Sequence, residues 1–338
     1  MLRLAPEKGI PHRMNVKPRT WLLTDGKAGM ESQCLGLAEA LGVVPEIKRI
    51  APRLPWRWLP PQLWLSPLHA PGATGDALAP PWPDLLIATG RATVAPALAI
   101  RKAGGGATVA VQIQNPTVDP GRFDVVIAPA HDGLAGENVV TTLGALHRVT
   151  PKRLDAAARR FAPRYAALPR PLVAVLLGGA NRQFRMPAET AERLGQLLAD
   201  AAAHGAGLAV TPSRRTGDGN LRRIAARLDG LPVDIWDGNG ENPYFGILAL
   251  ADAIVVTGDS VNMVSEACAT GKPVHVFQLD GGSRKFTRFH AVLEAHGMTR
   301  PFTGRLERWT YVPPDDMARA AAAVRRCLSQ SAPPAHRD

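Results

Sequence analysis

A short polar turn, Thr257-Gly258-Asp259-Ser260, lies between a predicted strand at 253–256 and a predicted helix. Ser260 can cap this helix by accepting a hydrogen bond from a backbone N–H group of its first turn. The other N–H groups of that turn stay free, and they attract anions. Thr257, Asp259 and Ser260 therefore predict one wall of a site for a phosphate-bearing ligand.

Two further predicted strands in the same half of the chain end in groups that suit a phosphate. Gly178 and Gly179 follow a strand at 171–177, and they have no side chains that would keep a phosphate away from the backbone amides. Arg214 and Arg215 follow the next strand, and their guanidinium groups match phosphate oxygens. We predict a nucleotide diphosphate site formed by Gly178, Gly179, Arg182, Ser213, Arg214, Arg215, Thr257, Asp259 and Ser260.

Glu266 lies in the predicted helix, about one and a half turns beyond the anion-binding turn. In one interpretation it is an ordinary helix residue that faces water or pairs with a nearby cation. In the other, its carboxylate accepts hydrogen bonds from the ribose hydroxyls of a nucleotide whose phosphates lie at the turn. The spacing alone leaves both interpretations open.

The first half of the chain also brings polar groups to the ends of predicted strands. Asp25 lies in a glycine-rich loop after the strand at 20–24, and Glu31 opens the helix that follows. A later strand ends at His131 and Asp132. Because the carboxyl ends of parallel strands meet at one edge of a sheet, these groups predict a cleft there. The glycine-rich loop is neither a GxGxxG motif nor a Walker A motif, so it assigns no nucleotide by itself.

The net charge of +11 favours an anionic partner, which could be a nucleotide, a phospholipid surface or a nucleic acid. We expect no nucleic acid, because the basic residues are dispersed and no zinc-finger spacing or RNA-binding aromatic motif is present. Cys34, Cys268 and Cys327 are too far apart for a metal cluster or a disulfide framework. They favour a reducing compartment, and we predict no metal site.

Residues 1–19 are basic and lack the apolar segment of a signal peptide, so we predict a disordered arm. No apolar run reaches the roughly 18 residues that a membrane span needs. The Trp- and Pro-rich stretch 52–83 is either a surface loop packed onto its domain or a segment that contacts a membrane interface or an acceptor. We expect a cytoplasmic protein that can lie at the inner face of an anionic membrane.

Strands and helices alternate through 20–165 and again through 166–330. This pattern predicts an α/β protein with two Rossmann-like domains, each built on a parallel sheet. A helix bracketed by prolines between 151 and 171 suits the connection between them. Residues 331–338 are predicted to form a polar tail.

Motifs spread over residues 20–278 resemble known proteins. SEA at 265–267 followed by GKPV at 271–274 resembles the nucleotide-sugar site of two-domain, GT-B type glycosyltransferases. Together, the motifs resemble the mitochondrial fission ELM (elongated mitochondria) family, in its bacterial branch. The motifs that carry this resemblance are TDGKAGMESQCLGLAEALG, PAHD, GALHRV, SRRT, NPY and VVTGDSVNMVSEA.

The resemblance implies two parallel sheets that face a central cleft, with the nucleotide-sugar donor against the second domain and the acceptor against the first. It implies that Glu266 binds the donor ribose. Inverting transfer needs a base for the acceptor hydroxyl, and the candidates are Asp25, Glu31 and His131. Neither a metal nor a cofactor is implied, since basic side chains and a helix N-terminus can stabilise the leaving diphosphate.

We therefore predict a metal-independent glycosyltransferase that uses a nucleotide-activated sugar and acts on an envelope or glycolipid acceptor. Two alternatives stay open. The resemblance to plant fission proteins implies a non-catalytic recruitment protein, and the GT-B resemblance also admits a non-hydrolysing nucleotide-sugar epimerase. A hydride-transfer epimerase is excluded, because the sequence lacks both an N-terminal GxGxxG motif and a Tyr-x-x-x-Lys pair.

Overall fold

The computed structural model describes residues 18–69, 72 and 74–331 of the 338-residue chain. The predicted arm lies outside these residues except for Pro18 and Arg19, and so does the predicted tail except for residue 331. Arg19 is held in place, because its backbone N–H group donates to Asp84 over 2.7 Å. No helix in these ranges is both long enough and apolar enough to cross a bilayer.

A six-stranded parallel sheet organises the first half of the chain. Its elements are β1 (Thr20–Thr24), α1 (Ala28–Leu41), β2 (Glu46–Arg49), β3 (Leu85–Thr89), α2 (Val94–Ala103), β4 (Val109–Ile113), β5 (Val125–Pro129), β6 (Val139–Thr142) and α3 (Pro151–Tyr165). The strand order is β2-β1-β3-β4-β5-β6. The four central strands are fully buried apolar runs, because helices cover both faces of the sheet.

A second six-stranded parallel sheet organises the other half. Its elements are β7 (Leu172–Leu177), β8 (Phe184–Arg185), α4 (Ala188–Ala203), β9 (Gly207–Pro212), α5 (Asp218–Arg227), β10 (Val233–Ile235), α6 (Tyr244–Leu250), β11 (Ala253–Thr257), α7 (Val261–Cys268), β12 (Val274–Phe277), β13 (Asp280–Gly281), α8 (Arg284–Ala295), β14 (Thr299–Pro301) and α9 (Asp316–Ser331). The strand order is β10-β9-β7-β11-β12-β14, and β8 pairs with β13 as a separate antiparallel ribbon.

The two sheets confirm the predicted fold class, an α/β protein with two Rossmann-like units. Four strands were not predicted from the sequence, namely the edge strands β2 and β14 and the ribbon β8–β13. They are short, and their sequences are polar or mixed: β2 reads EIKR, for example. Such strands carry neither the apolar run nor the alternation that identifies a strand in a sequence.

One helix of each half packs against the sheet of the other half. Helix α3 packs against α6 and places Phe161 and Tyr165 in the core of the second sheet. Helix α9 returns to the first sheet, where Ala320 and Val324 pack beside α1. The division into 20–165 and 166–330 stays a prediction, and each of these ranges contains one helix that packs against the sheet of the other range. An amphipathic Ala/Arg helix shows which of its faces is buried, but not which sheet that face covers.

Hydrogen bonds join the two halves near the carboxyl ends of the strands of both sheets. The Gln33 amide nitrogen donates to the side-chain oxygen of Asn262 over 2.9 Å. The backbone N–H group of Ala145 donates to the Ser265 hydroxyl, also over 2.9 Å. The carboxyl ends of the sheets consequently face each other across a cleft.

Candidate functional site

The cleft between the two sheets has two adjoining chambers. The interdomain chamber has a volume of about 420 Å³ and the first-sheet chamber a volume of about 630 Å³. Both are lined by Lys27, Met30, Gln114 and Arg182, so they share a boundary. Open α/β sheets bind their ligands at the carboxyl ends of their strands, which is where these chambers lie. The cleft is therefore the candidate functional site.

Three loops, which follow β7, β9 and β11, and the first turn of α7 form most of the second-sheet wall of the interdomain chamber. They contribute Asn181, Arg182, Gln183, Arg215, Asp259, Ser260, Val261 and Asn262. Four residues predicted for nucleotide binding are in this group: Arg182, Arg215, Asp259 and Ser260. Among the described residues, the other six predicted ones line neither chamber: Gly178, Gly179, Ser213, Arg214, Thr257 and Glu266.

Asp259 joins the three loops to one another. Its carboxylate accepts hydrogen bonds from the Thr257 hydroxyl over 2.7 Å and from the Gly179 backbone N–H group over 3.1 Å. It also forms an ion pair of 2.6 Å with Arg215, and its side chain is fully buried. A buried carboxylate with this set of partners fixes the loop geometry. We call these four residues (Gly179, Arg215, Thr257 and Asp259) the Asp259 clamp.

The backbone N–H groups of Gly178 and Gly179 donate to residues of this clamp and are therefore not free to face the cleft. The Gly178 backbone N–H group donates to the Thr257 hydroxyl over 2.7 Å, while that of Gly179 donates to Asp259. A Cβ atom at Gly178 would lie 2.1 Å from a carboxylate oxygen of Asp259. The Ser213 hydroxyl donates to the Gly178 carbonyl over 3.1 Å. These residues therefore support the chamber wall in this structure, and the predicted approach of their backbone to a phosphate stays a prediction.

Three features of the second-sheet wall stay available to an anion. Arg182 is exposed and borders both chambers. Arg215 is about a third exposed, and its side-chain contacts with other described residues use only Nη1. The first turn of α7 borders the interdomain chamber, and the Ser260 hydroxyl caps it by accepting from the Met263 backbone N–H group. Arg214 is exposed, but it lies outside the chamber lining.

Glu266 lies in the last turn of α7 and is only 8% exposed. Its carboxylate accepts a hydrogen bond of 2.5 Å from the Tyr244 hydroxyl. Burial raises the pKa of Glu266 from its usual value near 4.5 to about 7. In this arrangement the carboxylate faces Tyr244 and not the chamber, so its predicted contact with a ribose stays a prediction.

The raised pKa of Glu266 predicts a pH-dependent stability. Above about pH 4.5 the unfolded chain releases this proton, whereas the folded chain keeps it until about pH 7. The contribution of Glu266 to the free energy of unfolding should therefore fall as pH rises through this window, by on the order of 3 kcal/mol. Because other groups such as His131 titrate over the same range, wild type and Glu266→Gln are compared by urea unfolding between pH 4.5 and 8, and the variant should lack this decline. The exposed control Glu189→Gln should keep it, and an identical pH profile for wild type and Glu266→Gln would refute the assignment.

Asp25 and Glu31 differ in their position relative to the cleft. Asp25 lines the first-sheet chamber, where it forms an ion pair with Lys27 and accepts the Lys27 backbone N–H group over 3.3 Å. Glu31 lies outside the chamber lining, and Arg49 binds both of its oxygens over 2.8 and 3.0 Å. Of the two carboxylates, that of Asp25 lines a chamber and that of Glu31 does not. The role of a base stays a prediction for both.

His131 belongs to the contact between the two halves and lies outside the chamber lining. Its ring packs edge-on against Phe289 of α8, with 5.4 Å between ring centroids. The neighbouring Asp132 pairs with Lys285 of the same helix over 2.7 Å. Burial lowers the pKa of His131 to about 4, so it is neutral near pH 7. His131 therefore lies in the contact between the two halves and outside the chamber lining, and its role as a base stays a prediction.

Some residues of the cleft were not singled out from the sequence. Gln33, Gln183, Asn262 and Phe286 all line the interdomain chamber. Gln33 and Asn262 bond to each other from positions 229 residues apart, and no local pattern marks such a pair. The described residues include no group of three or more His, Cys, Asp or Glu side chains that could hold a metal ion.

The comparison with family models decides the family to which this chain belongs. The model described as Mitochondrial fission ELM1 matches residues 28–328, which include both sheets and the cleft between them. The chain belongs to the mitochondrial fission ELM1 family. This confirms the resemblance found in the sequence motifs.

Two relatives support the assignment to the ELM1 family. Mitochondrial fission protein ELM1 of Arabidopsis thaliana is 37% identical over 274 residues, which cover 73% of this chain and 64% of the relative. The chain thus spans less than two thirds of that relative. An uncharacterized protein of Rickettsia prowazekii (strain Madrid E) is 26% identical over 287 residues, covering 73% of this chain and 80% of the relative.

Solved structures show that this ELM1-family chain has the GT-B fold. UDP-GlcNAc 2-epimerase from Methanocaldococcus jannaschii has a TM-score of 0.50 at 12% identity, covering 91% of this chain and 92% of that one. Os79 from O. sativa also has a TM-score of 0.50, at 13% identity, with 93% and 95% covered. At these identities the likeness establishes the fold, and the predicted GT-B architecture is confirmed.

Proposed function

We propose that this chain is a glycosyltransferase that takes a sugar from a nucleotide-activated donor bound in the interdomain chamber. The observation that carries the proposal is the arrangement of charges across the cleft. Arg182, Arg215 and the first turn of α7 lie on the second-sheet side, and the carboxylate of Asp25 lies on the first-sheet side. An anion-binding wall that faces a base across a cleft suits transfer from a diphosphate leaving group.

The donor diphosphate would bind between the two arginines and the N-terminus of α7. Guanidinium groups hold phosphate oxygens with paired hydrogen bonds, and helix N-termini favour negative charge. Because the Asp259 clamp fixes Arg215, this wall is formed before the ligand arrives, which favours stabilisation of the charge that develops on the leaving diphosphate. Lys27 borders the same chamber and adds a third cation.

Transfer itself would involve Asp25 and an acceptor hydroxyl. The acceptor oxygen forms a bond to the anomeric carbon of the sugar, and the bond from that carbon to the diphosphate breaks. The diphosphate leaves with the electron pair, and Asp25 takes the proton of the hydroxyl. The first-sheet chamber is lined by Leu59 and Trp64 together with Arg57 and Arg91, a combination that suits an acceptor with apolar and anionic parts, such as a glycolipid.

The choice of nucleotide sugars as the ligand class has a second support. One protein of the same fold is named as a UDP-GlcNAc 2-epimerase. An epimerase would convert the donor without any acceptor, and a recruitment protein would bind no donor. Both alternatives from the sequence can therefore be separated from a transferase by ligand binding and product analysis.

The binding half of the proposal is tested by thermal unfolding with UDP-, GDP-, ADP- and CMP-sugars. At a hundredfold excess over Kd, a ligand that binds only the folded state stabilises it by about 2.7 kcal/mol. We expect one nucleotide to raise Tm, and we expect Arg182→Ala to abolish most of this rise. Arg214→Ala is the matched control, since that neighbouring exposed arginine lies outside the cleft. A panel without any shift, or equal losses in both variants, would count against a donor site here.

A further inference from the structure

A short stretch of the first half exposes an unusual amount of apolar surface. Four of the large apolar side chains that the described residues expose lie between positions 54 and 65: Leu54 at 57%, Trp58 at 75%, Leu63 at 59% and Leu65 at 79%. Two others, Val44 and Val312, lie elsewhere in the chain. Single exposed apolar residues need no explanation, but four within twelve positions mark an interaction surface. We call residues 53–65 the Trp58 segment.

The exposure of the Trp58 segment is not the result of a loose loop. The Trp56 indole donates to the Leu65 carbonyl over 2.8 Å, which holds the two arms of the segment together. The Trp64 indole donates to the Leu59 carbonyl over 3.2 Å, and Trp64 packs against Ala95 of α2. These tryptophans turn inward and fix the backbone. Trp58 and the exposed leucines are consequently presented to solvent from a defined scaffold.

Charge indicates which partner this surface suits. Residues 51–69 contain Arg53 and Arg57, both exposed, and no aspartate or glutamate. Tryptophan is favoured at the level of lipid headgroups, leucine inserts among acyl chains, and arginine pairs with lipid phosphates. The same segment reaches the cleft, because Arg57, Leu59 and Trp64 line the first-sheet chamber. A partner whose surface is uniformly anionic and partly apolar would match the exposed apolar side chains, the two arginines and the position of the segment at the entrance of this chamber.

We propose that the Trp58 segment docks onto an anionic lipid bilayer and sets the first-sheet chamber at the level of the headgroups. An acceptor carried by a lipid would then enter the chamber without leaving the membrane. The statement about the acceptor rests on the proposed transferase function. The docking itself requires only the segment and the bilayer.

Vesicle sedimentation of the full chain tests the proposal, with phosphatidylcholine alone or mixed with phosphatidylglycerol. We expect binding to the mixed vesicles, and we expect Trp58→Ser/Leu65→Ser to lower the partition coefficient at least about tenfold. Arg53→Gln should lower it about fivefold, with a weaker dependence on salt. The double variant Val44→Ser/Val312→Ser is the matched control, and it removes two equally exposed side chains without changing binding.

Several outcomes would overturn the docking proposal. The proposal fails if the wild type does not bind the mixed vesicles, or if the two double variants lose vesicle binding equally. It also fails if the wild type is a dimer that Trp58→Ser/Leu65→Ser dissociates. The last result would make the surface a contact between two copies of the chain. The nucleotide-sugar thermal shift, measured on the same variants, separates the two proposals. If neither the wild type nor any variant showed a thermal shift, the donor site would be refuted. The vesicle-binding result would still stand.

Discussion

Replacing Asp25 with asparagine is expected to slow release of nucleoside diphosphate from the donor sugar by about 10²–10⁴-fold, because an amide cannot take the proton of the attacking hydroxyl. The change keeps the size of the side chain, which lines the first-sheet chamber. Donor binding should therefore persist, and the thermal shift with the nucleotide sugar should stay close to that of the wild type. The assay is diphosphate release with whichever nucleotide sugar stabilises the chain.

Glu31→Gln is the control for this experiment. Glu31 lies near Asp25 in the sequence but is bound by Arg49 outside the chamber lining, so its loss should change the rate only a few-fold by comparison. If Glu31→Gln or a His131 variant reduced turnover far more than Asp25→Asn does, Asp25 would not be the base. The catalytic assignment would then move to that residue.

Gly178→Ala is expected to destabilise the second half by on the order of 3 kcal/mol, since overpacking and disruption of a buried ion pair both contribute. The added Cβ atom would lie 2.1 Å and 2.5 Å from the two carboxylate oxygens of Asp259. That side chain is fully buried and paired with Arg215, so it cannot move aside without opening the clamp. Urea unfolding measures the loss of stability, and donor binding should weaken with it because Arg215 loses its support.

Gly219→Ala provides the comparison for Gly178→Ala. Gly219 lies in helix α5, where a Cβ atom would meet only the mobile end of Arg223 at 3.3 Å. Alanine favours a helix more than glycine does, so this variant should be neutral or slightly more stable. A wild-type unfolding profile for Gly178→Ala would mean that Asp259 does not hold the loops as tightly as its contacts indicate.

The sequence predicts the layered fold well because the strongest signals belong to the buried elements. Continuous apolar runs such as Leu172–Leu177 identify strands covered on both faces, and Ser260 caps α7 as predicted. The edge strands are harder to identify, since β2 and β14 are short and polar or mixed. The position of α9 depends on a sheet more than a hundred residues away, and no local pattern encodes it.

In the candidate site, too, local sequence patterns identify some features, whereas contacts between residues that are distant in sequence determine others. The sequence indicates that glycines, hydroxyls and arginines follow the strands of the second sheet, and the structure brings these loops together. The role of each group depends on a partner that is distant in sequence. Gly179, for example, donates its backbone N–H group to the carboxylate of Asp259 across 80 residues. Likewise, Glu266 is buried against Tyr244, which lies 22 residues earlier in the chain at the start of α6.

The most direct test of the central claim is a crystal structure of the chain with the nucleoside diphosphate that stabilises it best. The claim predicts that the diphosphate lies in the interdomain chamber, within hydrogen-bond distance of Arg182 and the first turn of α7. Another cavity, of about 480 Å³, lies at the amino ends of the second sheet and is lined by His204 and Arg305. Electron density for the nucleotide there, with the interdomain chamber left to solvent, would contradict the account.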